Sequence, residues 1–600
     1  VAELTIKVGG QEISDEMSGC VLEVVVDTCL HLPDMCTILL IDTALRWVDD
    51  GSLDVGKEVV VTVNKTLLFQ GEMTALEPAF DQDGRATLLL RAYDKSHRLH
   101  LGRQTRTFVH KSDSQIVQSI AGEAGLSAQV DATSPTHEYV LQFNQTNMEF
   151  LLARAARNGY QVYGAEGTLY FKKGDWSRGQ GPTLTWEENL RSFRPRLTTA
   201  HQANTVVVRG WDGKGKTAIE AQATQSSGLN QGGLDQTGGL KAQSAFGAAK
   251  EVVVDRPVVT VDEATAIATG RSNDLSRDFV QAEGICFGDP KLKAGYKVTV
   301  EGVGTRFGGS YYLTSARHVL SGGRYETAFS VSGRLPDTLH QLLGDAQGDE
   351  QAQGRVRGVV TALVTNLNDP DNLGRVKVKF PWLGSSPEIE SDWMRQASPM
   401  AGAQRGLMIV PEVNDEVLVA FEHGDVHHPY IVGGLWSTTD KPPRQNSEAT
   451  GEGKVNQRVL KTRAGHLIVL DDKQGEEQIS VTSKGGHTVV LNDKSGSESI
   501  TIRDRTGNNE MAIDSAKNSV TIKCQGDFSV TAQGKITLKS TQDMSLESIA
   551  NAKVKATQLG LEATAKGELK GATVSVNGTG QTEVKSAGIL QIQGSLVKIN

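Results

Sequence analysis

Short runs of β-branched residues, closed off by Gly, Pro or Asp, dominate the first hundred positions: 22–27 (LEVVVD), 37–42 (TILLID) and 58–63 (EVVVTV). Runs of this length and composition predict strands, so the chain opens with a β-rich domain up to about residue 98. The period then changes. Ile116, Val117, Ile120 and Ala124 fall on one side of a helix spanning 112–125, with Ser112 as its N-cap. A second helix follows, in which Asn147 caps a run carrying Phe150, Leu151, Ala155 and Ala156 at three- and four-residue steps before Gly159 ends it. Strands resume at 161–163 and 169–172. The polar, Gly- and Gln-rich stretch 213–250 predicts a long exposed loop.

After a helix-like piece at 265–279, strands are expected at 296–300, 311–314 and 326–331, so 1–344 reads as one β-rich region with inserts. The polar segment 345–355 reads as a linker. Beyond it, closely spaced short strands at 356–364, 375–380, 393–396, 407–409, 416–421 and 430–433 predict a small closed barrel of the OB type over 356–440. A second polar linker covers 441–455.

The remaining segment, 456–600, has a different pattern. From 444 onward there is no proline and a single aromatic, Phe528, although the whole chain carries seven Trp, ten Tyr and fifteen Phe. So few large side chains cannot fill a wide core. Apolar positions nevertheless recur every eight residues: Val520, Phe528, Ile536, Met544 and Ala552, with partners Ile522, Val530, Leu538, Leu546 and Val554. The register slips near 559–569, and Val576, Val584 and Ile592 recover it. An octad supplies one strand and one turn, with two or three inward groups, so each repeat must stack on others. A single chain built this way leaves its strand edges open, which predicts an intertwined oligomeric β-helix.

Charge and composition narrow the function classes. The net charge of −9, with 62 basic against 71 acidic residues, argues against a nucleic-acid binder working by phosphate neutralisation. There is no run of 18 apolar residues and no basic-then-apolar leader, so neither a membrane span nor a signal peptide is expected. Five cysteines (20, 29, 36, 286 and 524) form no CxxC pair, which fits folding in a reducing compartment.

Each candidate for chemistry has a plainer reading. His423, His427 and His428 with Asp425 offer metal-ligand types, but the Gly424-Asp425 and His428-Pro429 steps fit a hairpin turn better. Gly302, Gly304, Gly308 and Gly309 lack the Lys-Ser or Lys-Thr of a phosphate loop and read as a turn. Asp471 with Asp472, and Glu476 with Glu477, are sequence neighbours that a strand sends to opposite faces. Cys36 reads as a buried hydrophobe. Trp382, Trp393 and Trp436 suggest a stacking platform, but Glu388, Glu390, Asp392, Asp415 and Glu416 stand beside them, so packing is the better reading. No metal, cofactor or catalytic residue is assigned. The rival to a structural reading is a glycan- or cell-wall-processing enzyme, or a binding module, using a β-helix groove.

Six motifs in fixed order carry a resemblance: HLPDM (31–35), QTNMEFLLARAARNGY (145–160), GDPKLKAG (288–295), GRVKVKFPW (374–382), PEVNDEVLVAF (411–421) and GDVHHPYIVGGLW (424–436), followed by the octads. Over nearly the whole chain this resembles the VgrG-type spike of contractile injection systems, the fused equivalent of the phage hub and tail spike. It is similar to extracellular injection particles as much as to type VI secretion. The resemblance implies a mainly β fold: a hub of two tube-like β-barrels with helical inserts, an OB-fold barrel and a trimeric β-helix needle. It also implies a homotrimer that adapts a hexameric inner tube to three-fold symmetry and punctures a target envelope, in transient contact with its membrane. Implied partners are the tube and baseplate proteins, a PAAR-type tip protein and effector cargo. The tip would seat on Ile592, Leu596, Val597, Lys598, Ile599 and Asn600. The needle core would be Val520, Ile522, Phe528, Val530, Ile536, Leu538, Met544, Leu546 and Val554. Neither a lysozyme-like domain between barrel and needle nor a C-terminal effector extension is seen in the sequence, which points to a mechanical, non-enzymatic chain assembled in the bacterial cytoplasm.

Overall fold

The computed structural model describes the chain except residues 1, 31, 135, 174–176, 201, 226–231, 255, 333–354, 357, 382–389 and 600. His31, Trp382, Glu388, Asn600 and most of the linker expected at 345–355 therefore lie outside the described residues. Two compact units result, Val1–Glu448 and Ala449–Asn600.

In the first unit the alternation of the opening strands becomes alternation of burial. Glu58–Val63 buries every second residue, and Met35–Ile41 and Ala86–Tyr93 do the same. Their inward residues, among them Ile38, Leu40, Val61 and Leu88, build one core. A second core holds Tyr311, Phe279, Phe329 and Cys286. The two barrel halves are not separate sheets. Eleven strands form one sheet, in which Val21–Cys29 pairs antiparallel with Ser315–Ser321 and sets Val25 opposite Val319. That seam joins residues about 300 positions apart and makes the hub one body.

The inserts are capped as local chemistry requires. Asp113–Glu123 has a reciprocal capping box between Ser112 and Gln115. Asn147–Asn158 is capped by Thr146 rather than by Asn147: the Thr146 hydroxyl accepts the Glu149 N–H at 3.1 Å, and the Glu149 carboxylate accepts the Thr146 N–H at 2.9 Å. Asn147 instead sits inside the first turn, where its side-chain oxygen accepts from Gln142. The stretch 213–250 is not a loop. Thr217–Thr224 pairs antiparallel with Thr205–Asp212, Lys250–Val253 adds parallel to the same strand, and Gly238–Phe246 is a helix whose first two glycines meet Phe279 and Asn204. Its polar composition hid an integral β-α-β element, because small Gly and Ala residues let backbone pack on backbone.

Helix 147–158 ends at Gly159 in the left-handed region (φ +65) and lies against Gly270 of Val261–Arg277. A Cβ on Gly270 would stand 2.6 Å from the Gly159 Cα, an atom that cannot swing away. Gly270→Ala is therefore expected to cost about 1–3 kcal/mol by prising the helices apart. A urea-midpoint loss close to zero would show that the helices separate freely.

The OB barrel is a five-stranded sheet in the order Lys377–Lys379, Val359–Asn366, Glu416–Phe421, Pro429–Gly434, Arg395–Gln396. Its core includes Ala362, Val364, Phe380, Met394, Val417 and Ile431. The linker expected at 441–455 contains a helical turn, Asn446–Ala449, and a two-residue hairpin, Thr450–Gly451 with Lys454–Val455.

The second unit divides the segment expected to be octads throughout. Gln457–Lys461, Leu467–Asp471, Gln478–Thr482, Thr488–Asn492, Ser499–Arg503, Glu510–Asp514 and Ser519–Lys523 form a seven-stranded antiparallel meander, each strand paired with the next. Octads begin only after it. Among the described residues from 524 to 599 there is no strand pairing, and the extended chain is broken by bends at 525, 533, 541, 549, 557, 564, 572, 579, 587 and 595.

Candidate functional site

The second unit inverts the usual relation between hydrophobicity and burial. On one face of the meander, Leu470, Ile479, Leu491, Ile500, Ile513 and Val520 stand in register as one row. Ile468, Val481, Val489, Ile502, Met511 and Ile522 form a second. Apart from half-buried Ile513, these residues are exposed, from 37% at Ile468 to 64% at Val520. The opposite face carries smaller or polar residues such as Val469, Ser480, Val490, Thr501 and Ala512, all buried or half-buried. Five-residue strands of the form polar-apolar-small-apolar-polar, as in QISVT and SITIR, encode this face. The octad period does not show it, because these strands recur at steps of nine to eleven residues.

Every predicted needle-core residue is exposed in the single chain. Val520 and Ile522 lie in the last meander strand; Phe528 (61%), Ile536, Met544, Val530, Leu538 (72%), Leu546 (86%) and Val554 lie in the unpaired octads. The bends show that the slip after 554 is two seven-residue repeats, 557–563 and 572–578. With these admitted, the row Val530, Leu538, Leu546, Val554 continues through Leu561, Leu569, Val576 and Val584 to Ile592. The predicted tip residues Ile592, Leu596, Val597, Lys598 and Ile599 are also exposed, Ile599 at 88%.

The first unit holds its ionisable groups in structural roles. The His423–His428 stretch is a turn in which His423 adopts φ +49. His427 has both ring nitrogens engaged: Nδ1 donates to Asp425 Oδ1 at 2.8 Å and Nε2 accepts the Leu141 N–H at 3.2 Å. Burial holds this imidazole down to about 4, so it is neutral, and the tautomer follows from its partners. Asp425 also takes Arg157, whose other nitrogen donates to Glu263 at 2.8 Å. Burial alone would raise the Asp425 carboxyl, but Arg157 and His427 hold it well below the usual carboxylate range. These contacts tie the barrel to the hub's helical inserts.

The remaining candidates stay apart or become packing. Gly302, Gly304, Gly308 and Gly309 lie in the turn between Tyr296–Glu301 and Gly309–Tyr312. Asp471 accepts from Gln457 at 2.6 Å, while Asp472 pairs with Arg458. Glu476 pairs with Lys473, and Glu477 accepts the Gly475 N–H. Cys36 is 1% exposed and burial pushes its thiol far up. Trp393 packs under Lys377 at 5.3 Å, and Trp436 is exposed. A cleft of about 320 Å³ beside helix 261–277 is lined by ion-paired residues such as Arg271 with Glu251, at 2.5 Å. Among the described residues no three His, Cys, Asp or Glu side chains are arranged to hold a metal, and no helix is long and apolar enough to cross a membrane.

Comparison with known proteins gives this arrangement a context. The family model of the Alg8 N-terminal domain matches residues 1–322, more than half of the chain, and that of the type VI secretion system/phage-baseplate injector OB domain matches 360–436. The type VI secretion system spike protein VgrG3 of Vibrio cholerae serotype O1 is 36% identical over 111 residues, 18% of this chain and 11% of that protein. The actin cross-linking toxin VgrG1 of Vibrio cholerae serotype O1 is 24% identical over 418 residues, 64% of this chain and 36% of that protein. The chain thus spans about a tenth to about a third of the length of these relatives. Among solved structures, an E. coli type VI secretion component similar to the T4 tail proteins gp27 and gp5 covers 72% of this chain and 99% of its own, at 15% identity and a TM-score of 0.44. The half-lidded Francisella PdpA-VgrG complex covers 87% of this chain and 88% of its own, at 8% identity and a TM-score of 0.49. With an Alg8 N-terminal domain in front, an injector OB domain behind it and spike proteins as its sequence relatives, the chain belongs to the VgrG-type spike proteins of contractile injection systems.

Proposed function

We propose that three copies of this chain assemble into the spike of a contractile injection system and act mechanically. The observation that carries this is the tail, in which the large aliphatic side chains of one meander face and of the octads stand exposed while the opposite face of the meander is buried or half-buried. A monomer does not keep so long an apolar surface in water; a surface of this kind marks an interface. Three copies winding together cover the rows and pair the octad strands, and a closed prism leaves no lateral edge to fray. The number three comes from the family resemblance.

In this reading the hub, residues 1–344, meets the hexameric inner tube and the baseplate proteins. The OB barrel forms a collar below it, and the tail is the needle driven through the target envelope, touching its membrane in passing. Residues Ile592, Leu596, Val597, Lys598, Ile599 and Asn600 seat a PAAR-type tip protein, and effector cargo travels with the spike. Assembly takes place in the bacterial cytoplasm. Nucleic acid is not a partner, and no turnover is assigned to the chain.

Light scattering on the full chain and on a version ending after residue 448 tests the reading. The full chain is expected at three times its 64.4 kDa mass, and the shortened one at lower order. Two monomers would sink the spike and bring forward the glycan-processing reading, which a turnover assay on peptidoglycan and common polysaccharides then decides.

A further inference from the structure

We propose that the apolar face of the meander is the surface on which copies of this chain first dock, and that the octads gain their strand pairing only afterwards. The proposal rests on the three-copy reading and adds to it a starting place and an order.

The two halves of the tail differ in what they lack. In the meander every strand is paired within the chain, as in Val489 opposite Ile502 and Ile479 opposite Leu491. Its backbone is satisfied before any partner arrives, and only a side-chain face remains open. In 524–599 neither the backbone nor the apolar row has a partner strand among the described residues. Octads from separate copies must therefore find one another before any contact rewards them, which makes them slow to pair alone. Meanders already docked hold the tails at an effective concentration on the order of millimolar.

The last meander strand belongs to both patterns. Val520 ends one row of the meander face and starts the octad series that continues at Phe528; Ile522 ends the other row and leads to Val530. Docking the meanders thus sets the register in which the octads meet. A second copy is the occupant that the area favours. A Val, Leu or Ile side chain offers roughly 100 Å² of apolar surface when fully exposed, so the two rows together present on the order of 600 Å² per chain. A stable complex buries about 800 Å² per partner, and the meander face alone comes near that.

Two full-length triple variants test the proposal. Leu491→Thr/Ile500→Thr/Ile502→Thr makes the meander face polar while placing strand-favouring β-branched residues at positions already exposed in the single chain. Leu546→Thr/Leu561→Thr/Leu569→Thr does the same to the octads. Mass is read by light scattering from about 0.1 to 50 µM, and amide hydrogen exchange is read in both segments. The meander variant is expected to dissociate at concentrations about 100-fold higher than the unaltered chain, with meander amides protected and octad amides open. The octad variant is expected to keep its mass and meander protection and to lose protection only beyond residue 524. Native mass and octad protection in the meander variant, loss of meander protection in that variant, or equal dissociation of both variants, overturns the proposal and leaves the three-copy reading standing. A monomeric meander variant with protected octads also overturns it, because the octads then fold back on their own sheet. An unaltered chain that is monomeric at the highest concentration overturns the reading beneath it.

Discussion

Arg157→Met is expected to lower the stability of the first unit by about 2–4 kcal/mol and to loosen the barrel from the hub inserts. Arg157 stands between Glu263 of the hub helix and Asp425 of the barrel turn, with side chains 21%, 21% and 12% exposed. Removing the guanidinium leaves two carboxylates facing each other with little water, with His427 and His428 beside Asp425. The methionine keeps the volume of the stem, so the loss reports charge rather than a cavity. Adding Asp425→Asn is expected to return part of the loss, because the carboxylate left without its cation is then gone. The cycle, read from urea midpoints together with proteolysis near residue 425, measures the coupling directly. A loss below about 0.5 kcal/mol would place the pair among ordinary surface ion pairs and remove it as the fastening between hub and barrel.

That junction also shows what the sequence conceals. Strands such as Glu58–Val63, the caps at Ser112 and Gly159, and the octad period are local patterns, and local patterns were legible. Arg157 and Asp425 are 268 positions apart, and nothing in either neighbourhood announces the other. The seam between Val21–Cys29 and Ser315–Ser321 is invisible for the same reason: the two barrel halves are legible as local strand patterns, while the sheet that joins them is not. The error at 213–250 was of another kind: Gly, Gln and Ser composition stood for a loop, but buried Gln225 bonds to Gln202 and to the Gly239 N–H and fastens the segment down. In the tail the period was readable, while the seven-residue repeats and the meander rows required the bends and registers. Burial then revealed the surface that sequence could only infer, since an apolar row looks the same in a core and at an interface.

Asp94→Asn is expected to stabilise the hub at neutral pH by about 2–3 kcal/mol and to change how its stability depends on pH. Asp94 is 1% exposed; its Oδ1 accepts the Ser96 hydroxyl at 2.6 Å and its Oδ2 has no hydrogen-bond partner. Burial pushes its carboxyl up to about 6, and burial with Asp94 nearby pushes Asp34 well above its usual range. Between about pH 4 and 6 the folded hub holds a proton that the unfolded chain has released, so this contribution falls as pH rises through the window. Two histidines work the other way. Burial holds both His318 and His427 down to about 4, so the folded chain keeps them neutral where the unfolded chain protonates them, and their contribution rises with pH between about 4 and 6.5. The unaltered protein therefore has opposing slopes that largely cancel across this range. Asparagine keeps an oxygen to accept from the Ser96 hydroxyl and removes the acid, leaving the histidine slope exposed. Urea midpoints at about pH 4.5, 5.5 and 7.5 are expected to be nearly level for the unaltered chain and to climb with pH for the variant. Parallel profiles, or a variant weaker than the unaltered chain at neutral pH, would show that the buried Asp34 and Asp94 pair carries no strain for the fold to relieve.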